Sequence, residues 1–417
     1  MTGRQRIGVE WKTRRLGDLG TFCKGKGIRK VELRETGAPC VRYGELYTRY
    51  ENYVVKPTSR IPMDVAAKTL LIEKGDLLFA GSGETAEEIG TCVAYIGEER
   101  AYAGGDIIVL RASGQDPVYL AHLVNAPAAV RQKVRMAQGD AVVHIRGDHL
   151  AEVETPLPLL SEQRAIAAVL MDVDALIGSL EALIAKKRAI KRAAMQQLLT
   201  GRTRLPGFEG EWETRRIGEL ADVDPENLSA STPPDFSFNY ISIDDVDAGR
   251  LAAYTRESFK TAPSRARRVV RAGDVLMSTV RPALLGHLLF DGRMLNPVCS
   301  TGFAVLRARR DRCEPHFLFA HLFGDVVDGQ LQALLVGSNY PAINGTDVRG
   351  LRVTCPPTLG EQRAIGAVLS DMDAEIEALE RRLAKTRAIK QGMMQRLLTG
   401  AIRLPVLDGG VTDEEAP

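Results

Sequence analysis

Two long stretches of the chain carry apolar residues at alternating steps of four and three. The apolar positions are Ile166, Leu170, Val173, Ile177, Leu180 and Ile184 in the first stretch, and Ile365, Leu369, Met372, Ile376, Leu379 and Leu383 in the second. This spacing keeps apolar side chains on one stripe of a helix. Each stretch therefore predicts a long helix whose seam needs a partner, and the simplest partner is the other copy in antiparallel orientation.

The ends of both predicted helices carry start and stop signals. Ser161 is an expected N-cap, and Glu162 places a carboxylate near the positive end of the first helix. Gly201 and Gly400 each follow a threonine and are expected to end the two helices as C-terminal glycines.

The two helices belong to an internal repeat of the whole chain. Glu162–Asp174 recurs with few changes as Glu361–Asp373, and Trp11–Leu19 resembles Trp212–Leu220 more weakly. A repeat of this kind predicts two copies of one fold with different loops, related by a pseudo-twofold axis. The predicted organisation is a first module (1–160), a central helix (161–201), a second module (202–360), a C-terminal helix (361–400) and an acidic tail (401–417).

The modules themselves have the pattern of a mixed α/β (α+β) fold. Strand-like apolar runs lie at 77–80, 106–110, 275–278 and 303–306, and the segments 117–133 and 315–335 have a helical pattern. The expected fold class is thus two tandem α/β modules separated by two long antiparallel coiled-coil helices.

Composition and charge narrow the choice of function. The chain has 45% hydrophobic and 26% charged residues and a net charge of +2, as in ordinary globular proteins. This charge excludes a histone-like binder, so any DNA contact must come from local clusters. The six cysteines lie singly, without metal-site spacing, and no apolar run is long enough to span a membrane; we expect reduced thiols and a cytoplasmic protein.

Catalytic motifs are not found in the sequence. It lacks a P-loop, a zinc-protease HExxH motif and a nucleophile-elbow GxSxG motif. The glycine-containing string Gly81–Ala86 is better interpreted as a surface loop than as a cofactor cradle. A self-contained modification enzyme is therefore disfavoured, and we expect no catalytic residue and no metal site in this chain.

The candidate DNA contacts are basic and polar residues in loops of both modules. In the first module they are Lys24, Lys26, Arg29, Lys30, Ser82 and Thr85. In the second they are Arg265, Arg267, Arg268, Ser278, Thr279, Arg281, Asn339 and Tyr340. Basic side chains neutralise phosphates, and arginine or asparagine can bind base edges. Any one of these residues could instead belong to an ordinary solvated loop; it is the set that favours DNA.

The order of these blocks resembles the specificity subunit of type I restriction-modification enzymes over essentially the whole chain. The most specific signals are the helix blocks at 162–201 and 361–400. The resemblance implies that each module is a target-recognition domain for one half of a bipartite DNA site, and that the helices fix the gap between the halves.

The resemblance also implies partners and cofactors. Two methyltransferase subunits would dock on the helices and methylate adenines with S-adenosylmethionine, and restriction subunits would add an ATP- and Mg-dependent motor and nuclease. This chain would bind none of these cofactors. The alternative is a stand-alone or decoy protein that binds DNA or methyltransferases without a functional restriction partner.

Overall fold

The structure, a computed structural model, describes residues 10–139, 142–335 and 341–405. Its contacts divide the chain into two compact units. The first unit comprises Met1–Ser179 and Leu383–Pro417, and the second comprises Leu180–Arg382. Each unit therefore contains one α/β module and a part of each long helix.

The first module is built from short strands and short helices. Its strands are β1 (Lys12–Arg15), β2 (Gly20–Lys24), β3 (Ala38–Val41), β4 (Tyr53–Val54), β5 (Ser59–Ile61), β6 (Leu70–Ile72), β7 (Leu77–Ala80), β8 (Ser82–Gly83), β9 (Cys92–Tyr95), β10 (Ala101–Ala103), β11 (Ile107–Ala112), β12 (Val143–His144) and β13 (Glu154–Leu157). Its helices are α1 (Tyr43–Thr48), α2 (Met63–Ala66), α3 (Pro117–Val124), α4 (Pro127–Met136) and α5 (Gly147–Ala151), and α6 (Leu160–Leu198) follows the module.

Two sheets form the centre of this module. One has the strand order β2-β11-β7-β9-β4, and the other has the order β5-β3-β10-β6. The pairings are antiparallel except for β4 with β9 and β3 with β10, which are parallel. Strand β1 pairs with β13 and so brings the start of the module next to its end.

The second module repeats this plan. Its strands are β14 (Glu213–Arg216), β15 (Ala221–Val223), β16 (Ser237–Ile241), β17 (Val246–Asp247), β18 (Arg250–Leu251), β19 (Thr255–Ser258), β20 (Ala266–Val269), β21 (Val275–Ser278), β22 (Leu288–Leu289), β23 (Pro297–Ser300), β24 (Phe303–Ala308) and β25 (Arg352–Cys355). Its helices are α7 (Ile217–Leu220), α8 (Pro315–His321), α9 (Asp325–Leu335) and α10 (Gly345–Gly350), and α11 (Leu359–Leu397) follows. Its two larger sheets have the orders β15-β24-β21-β22 and β19-β16-β23-β20.

Strands β7 and β21 occupy the same place in the two modules and are buried on both faces. Because successive side chains of a strand point to opposite faces, Leu77 and Phe79 join one apolar cluster and Leu78 and Ala80 join another. The predicted strands at 77–80 and 275–278 are confirmed, and continuous burial explains why both are apolar without alternation.

The main apolar cluster of each module continues into the long helices. In the first unit it includes Ile166 and Leu170 of α6 and Leu397 of α11. In the second unit it includes Leu198 of α6 and Ile365 of α11. The helix segments are therefore part of the module cores rather than separate from them.

Each of the two predicted helical segments inside the modules is two helices. The segment at 117–133 divides into α3 and α4, because Pro127 opens α4 and the preceding residue, Ala126, is extended (φ −71°, ψ 152°). The segment at 315–335 divides after His321, and α9 begins at Asp325.

The glycine stops of the long helices are confirmed, whereas the expected cap is wrong. Gly201 and Gly400 have φ of 70° and 72°, in the left-handed region that glycine tolerates best. Helix α6 already begins at Leu160, so Ser161 lies inside its first turn. In α11 the cap is Thr358, whose hydroxyl accepts a hydrogen bond from the Glu361 amide at 3.3 Å.

Candidate nucleic-acid interface

One hydrogen-bonded frame recurs in both modules at the end of the central strand. In the first module, the Gly81 amide donates to the Asp106 carbonyl at 2.7 Å, and the Ile145 amide donates to the Gly81 carbonyl at 3.0 Å. Beyond it, β8 pairs with β12. This frame places two loops side by side, one after β7 and one before α5.

In the second module, the same frame is made by different residues. The Thr279 amide donates to the Gly302 carbonyl at 2.8 Å, and the Ile343 amide donates to the Thr279 carbonyl at 2.9 Å. Val280 then forms an antiparallel bridge with Ala342. The backbone of the loops is thus held alike in both modules while the side chains differ.

In the first module, a cleft of about 460 Å³ lies beside this frame. Lys24 reaches its rim with Nζ 3.8 Å from the Asp106 carboxylate. Arg146 lies on the opposite loop and makes a bidentate pair with Asp148, at 3.1 and 2.7 Å. Exposed pairs of this kind contribute little stability, so both cations can exchange their carboxylates for phosphates.

The basic candidates of the first module are all exposed. They are Lys24, Lys26, Arg29 and Lys30. Arg29 pairs with Glu32 through its Nε and Nη2 atoms, at 3.1 and 2.8 Å, and this hydrogen bonding raises the pKa of the guanidinium. Thr85 is also exposed, and its hydroxyl donates to Glu88 at 3.1 Å.

The hydroxyl candidates next to the frame are buried, which corrects the expectation that they face DNA. Ser82 is hydrogen-bonded to Nδ1 of His144 at 3.0 Å. Ser278 donates to the Val280 carbonyl at 2.9 Å, and Thr279 donates to the Gly302 carbonyl at 2.8 Å. These hydroxyls hold the loops in place, since a buried polar group needs a partner inside the protein.

The arginine candidates of the second module differ in their exposure and in the partners of their guanidinium groups. Arg265 and Arg281 are exposed. Arg267 lies over the ring of Phe259, 4.7 Å from its centroid. Arg268 is paired with Asp224, and both side chains are largely buried, so Arg268 holds the fold rather than presenting its charge. The candidates Asn339 and Tyr340 lie outside the described residues.

Sequence reasoning missed His144, Arg146 and Asp148 at the cleft. A signal was present: Ile145–Asp148 and Ile343–Thr346 both follow the pattern isoleucine, polar residue, glycine, polar residue. The frame aligns these two segments in the modules, and Asn344 takes the place of Arg146. The match is too short to stand out without the fold.

The seam positions of the long helices face inward. Among them Ile166, Leu170, Ile177, Leu180, Ile184, Ile365, Leu369 and Ile376 are buried, and Val173, Met372, Leu379 and Leu383 are partly buried. Ion pairs join the two helices in each unit. In the second unit Lys187 pairs with Glu375 at 2.7 Å, and in the first unit Lys390 pairs with Asp174 at 2.6 Å. Lys191 also pairs with Asp373 in the second unit, and Arg403 pairs with Glu162 in the first, so residue numbers rise on one helix as they fall on the other. The helix segments therefore run antiparallel within each unit.

The repeated Glu-Gln pair explains why the helix blocks are so similar. In the first unit, Arg403 makes two contacts of 2.7 Å to Glu162, and the Gln163 side chain accepts from the Asp116 amide at 3.0 Å. The first contact joins the start of α6 to the segment that follows α11, and the second joins α6 to the start of α3. Both roles require these side chains, and therefore both copies of the repeat carry them.

The second unit repeats these contacts. Arg204 binds Glu361 at 2.9 and 2.5 Å, and the Gln362 side chain accepts from the Glu314 amide at 3.0 Å. Glu162 and Glu361 are almost completely buried.

Burial raises the pKa of the Cys40 and Cys355 thiols to about 12, so neither is a ready nucleophile. No group of His, Cys, Asp or Glu side chains in the described ranges is arranged to hold a metal ion. Among the helices described, none is both long and apolar enough to cross a bilayer.

Comparison with protein families gives one matching model, the type I restriction modification DNA specificity domain. It matches residues 8–188 and again residues 209–386. The two matches correspond to the two copies of the repeat, each including a module and most of the helix that follows it.

Two similar curated proteins come from Methanocaldococcus jannaschii. The type I restriction enzyme MjaVIII specificity subunit is 22% identical, over 97% of this chain and 95% of that protein. The putative type I restriction enzyme MjaX specificity subunit is 25% identical, over 95% of each.

Two solved structures share the fold. The S subunit of a type I restriction-modification system from M. genitalium has a TM-score of 0.63 at 15% identity, over 94% of this chain and 97% of that one. A chain from a study of complex assembly and conformational transition of the type I R-M system has a TM-score of 0.53 at 22% identity, over 96% and 99%.

Proposed function

Since the chain belongs to the type I restriction-modification DNA specificity family and carries two copies of its domain, we propose that each module reads one half of a bipartite DNA target. The chain is the specificity subunit of such a system, with two target-recognition domains. In this proposal the chain recognises DNA in the cytoplasm, and partner subunits catalyse the methylation and cleavage of that DNA.

The observation that carries this proposal is the shared frame with different side chains. The backbone hydrogen bonds of Gly81 and Thr279 are equivalent, but Arg146 in one module corresponds in the other to Asn344, whose side-chain oxygen caps α10 by accepting from the Thr346 and Asp347 amides. Arginine binds guanine in the major groove through two donors, whereas an asparagine whose oxygen caps a helix presents only its amide group to DNA. A constant scaffold with variable loop chemistry is what two readers of two different half-sites require.

The helices are the proposed docking surface for two methyltransferase subunits. In this proposal those subunits bind S-adenosylmethionine, restriction subunits use ATP and Mg, and this chain binds none of the three. The fold it shares with a chain from a type I assembly supports partner binding. The ion pairs between the helices support it further, because they join the two helix segments of each unit in antiparallel orientation.

The test is methyl transfer with and without partner subunits. The purified chain, its methyltransferase partner, or both together are incubated with labelled S-adenosylmethionine and DNA. We expect adenine methylation at a split sequence only with both proteins present. Methyl transfer by this chain alone would overturn the non-catalytic role. Methylation at the same sites without this chain would overturn its role in recognition.

A further inference from the structure

A strained turn connects β21 to β22 in the second module. The turn Pro282–Leu284 is flanked by Arg281 (φ 49°, ψ 53°) and Leu285 (φ 54°, ψ 29°). The other non-glycine residues with positive φ in the described ranges are aspartate, asparagine and alanine. Bulky side chains rarely adopt this conformation, and such outliers cluster at binding sites. The surrounding structure must therefore hold this turn in place.

That surrounding structure is visible on both sides of the turn. The Arg281 amide donates to the Pro341 carbonyl at 2.7 Å. On the returning side, the buried His287 accepts a hydrogen bond from the Ser278 amide through Nδ1 at 3.1 Å. Pro282 itself is buried. The turn is thus clamped where it leaves the sheet and where it returns.

The equivalent position in the first module has no side chain. Val280 pairs with Ala342 as Ser82 pairs with His144, so Gly83 takes the place of Arg281. The first module also continues differently, with the exposed acidic residues Glu84, Glu87 and Glu88. The Arg281 turn is therefore specific to the second module, where it takes the place of a longer acidic loop.

Two side chains of the turn project into solvent. Arg281 is exposed, and its guanidinium has no carboxylate partner within the described residues. Leu284 is 71% exposed. A single exposed leucine means little, but here it shares a clamped turn with an unpaired guanidinium. Both chemistries have a counterpart on base edges in the major groove: guanine offers O6 and N7 to arginine, and thymine offers its C5 methyl group to apolar side chains.

We propose that this turn is a base-reading element of the second module, in which Arg281 binds a guanine and Leu284 contacts the methyl group of a nearby thymine. The inference rests on the proposed DNA-reading function and adds the bases that are read. The Leu284 amide donates to the Arg281 carbonyl at 2.9 Å and closes the turn. The two Cα atoms of such a turn are within about 7 Å, or roughly two base-pair steps. The guanine and thymine are therefore adjacent or separated by one base pair, on either strand.

The thymine contact is tested by removing its methyl group from the DNA. Methylation mapping first identifies the half-site of the second module. Synthetic duplexes then carry uracil in place of each thymine of that half-site, and their binding to the complex with the methyltransferase subunits is measured. One substitution should weaken binding about fourfold, because burying one methyl group is worth roughly that factor. Leu284→Ala should remove this difference.

The matched control is Leu295→Ala, since Leu295 is 77% exposed in another loop of the same module. This control variant should keep the preference for thymine over uracil. Thermal unfolding of Leu284→Ala should match that of the unmodified protein, because the side chain is exposed. Equal uracil effects with and without Leu284 at every thymine would overturn the assignment.

The guanine contact is tested with Arg281→Lys, which keeps the charge and loses the two parallel donors. Discrimination at one guanine within two steps of that thymine should fall by roughly ten- to a hundredfold. Arg293→Lys, an exposed arginine elsewhere in the module, should change nothing. A half-site without a G·C pair within two steps of an A·T pair would contradict the proposal.

These outcomes separate the inference from the function on which it rests. If neither Leu284→Ala nor Arg281→Lys changes specific binding, the turn does not read bases, but the chain remains a specificity subunit. If the complex does not distinguish its mapped target from a scrambled duplex, both the base-reading turn and the proposed DNA-reading function are contradicted.

Discussion

Three buried histidines show how strongly single residues depend on their surroundings. Burial lowers the pKa of His287 and His321 to about 4. It lowers that of His122 to about 3, with a further contribution from the nearby charge of Lys390. All three are therefore neutral in the folded protein at pH 7.

We predict that stability falls as the pH falls below about 6.5. In the unfolded chain these histidines are protonated below about pH 6.5, whereas in the folded protein they stay neutral down to about pH 4. Each therefore lowers the free energy of unfolding by up to about 1.4 kcal/mol per pH unit in this range. His287→Asn keeps an acceptor near the Ser278 amide but does not titrate. Between pH 7 and 5, its free energy of unfolding in urea should fall less steeply than that of the unmodified protein. The difference in slope should correspond to about one proton fewer taken up on unfolding. A pH profile parallel to that of the unmodified protein would contradict this.

At the residue scale, the sequence predicts exposure where local pattern decides it, and it does not predict burial where distant contacts decide it. Exposure of Lys24, Lys26 and Arg281 follows from polar loops between strands. The pairing of Arg268 with Asp224 joins residues far apart in sequence, so no local pattern reveals that Arg268 is held inside the module.

At the scale of elements, the two Arg-Glu contacts tie the start of each long helix to the segment that follows the other one. Glu361 is completely buried, and Arg204 provides its charge partner. Burying a carboxylate without a cation is costly, whereas replacing both groups by apolar ones often is not.

Arg204→Ala should therefore lower the thermal midpoint by about 5 to 10 °C. The double variant Arg204→Met with Glu361→Leu should recover much of this loss. Calorimetry of the full chain is the measurement. If the double variant is as unstable as Arg204→Ala with Glu361 retained, the loss is not due to an unpaired carboxylate.

The helix seam gives a second prediction at this scale. Leu180→Asp buries a charge, because Leu180 is 4% exposed, whereas Leu183 is 38% exposed on the same helix. We expect Leu180→Asp to cost more than about 3 kcal/mol in the free energy of unfolding and Leu183→Asp less than about 1 kcal/mol. Similar losses for the two variants would place the seam elsewhere.

The long helices were predictable because their period and their glycine stops are local signals. The starts were less predictable: Thr358 caps α11, but the corresponding position before α6 is Leu159, and Ser161 lies inside the helix. The breaks before Pro127 and Asp325 were missed because short loops between helices preserve an apolar pattern.

At the scale of the whole molecule, the internal repeat made the architecture predictable. Two copies of one scaffold require two similar cores, and the apolar clusters of the two modules use equivalent strands and helix segments. The loops were not predictable in the same way, because a repeat records what the copies share. Arg281 was among the predicted DNA contacts, but the strained turn that joins it to Leu284 becomes visible only in the structure.

Replacing residues 1–160 by the corresponding module of another family member tests most directly whether each module reads its own half-site. Methylated adenines are mapped across host DNA with the parent and the exchanged chain, each with its methyltransferase subunits. We predict that one half of the recognised sequence changes and the other half, read by residues 202–360, stays the same. A change in both halves, or in neither, would contradict independent reading by the two modules.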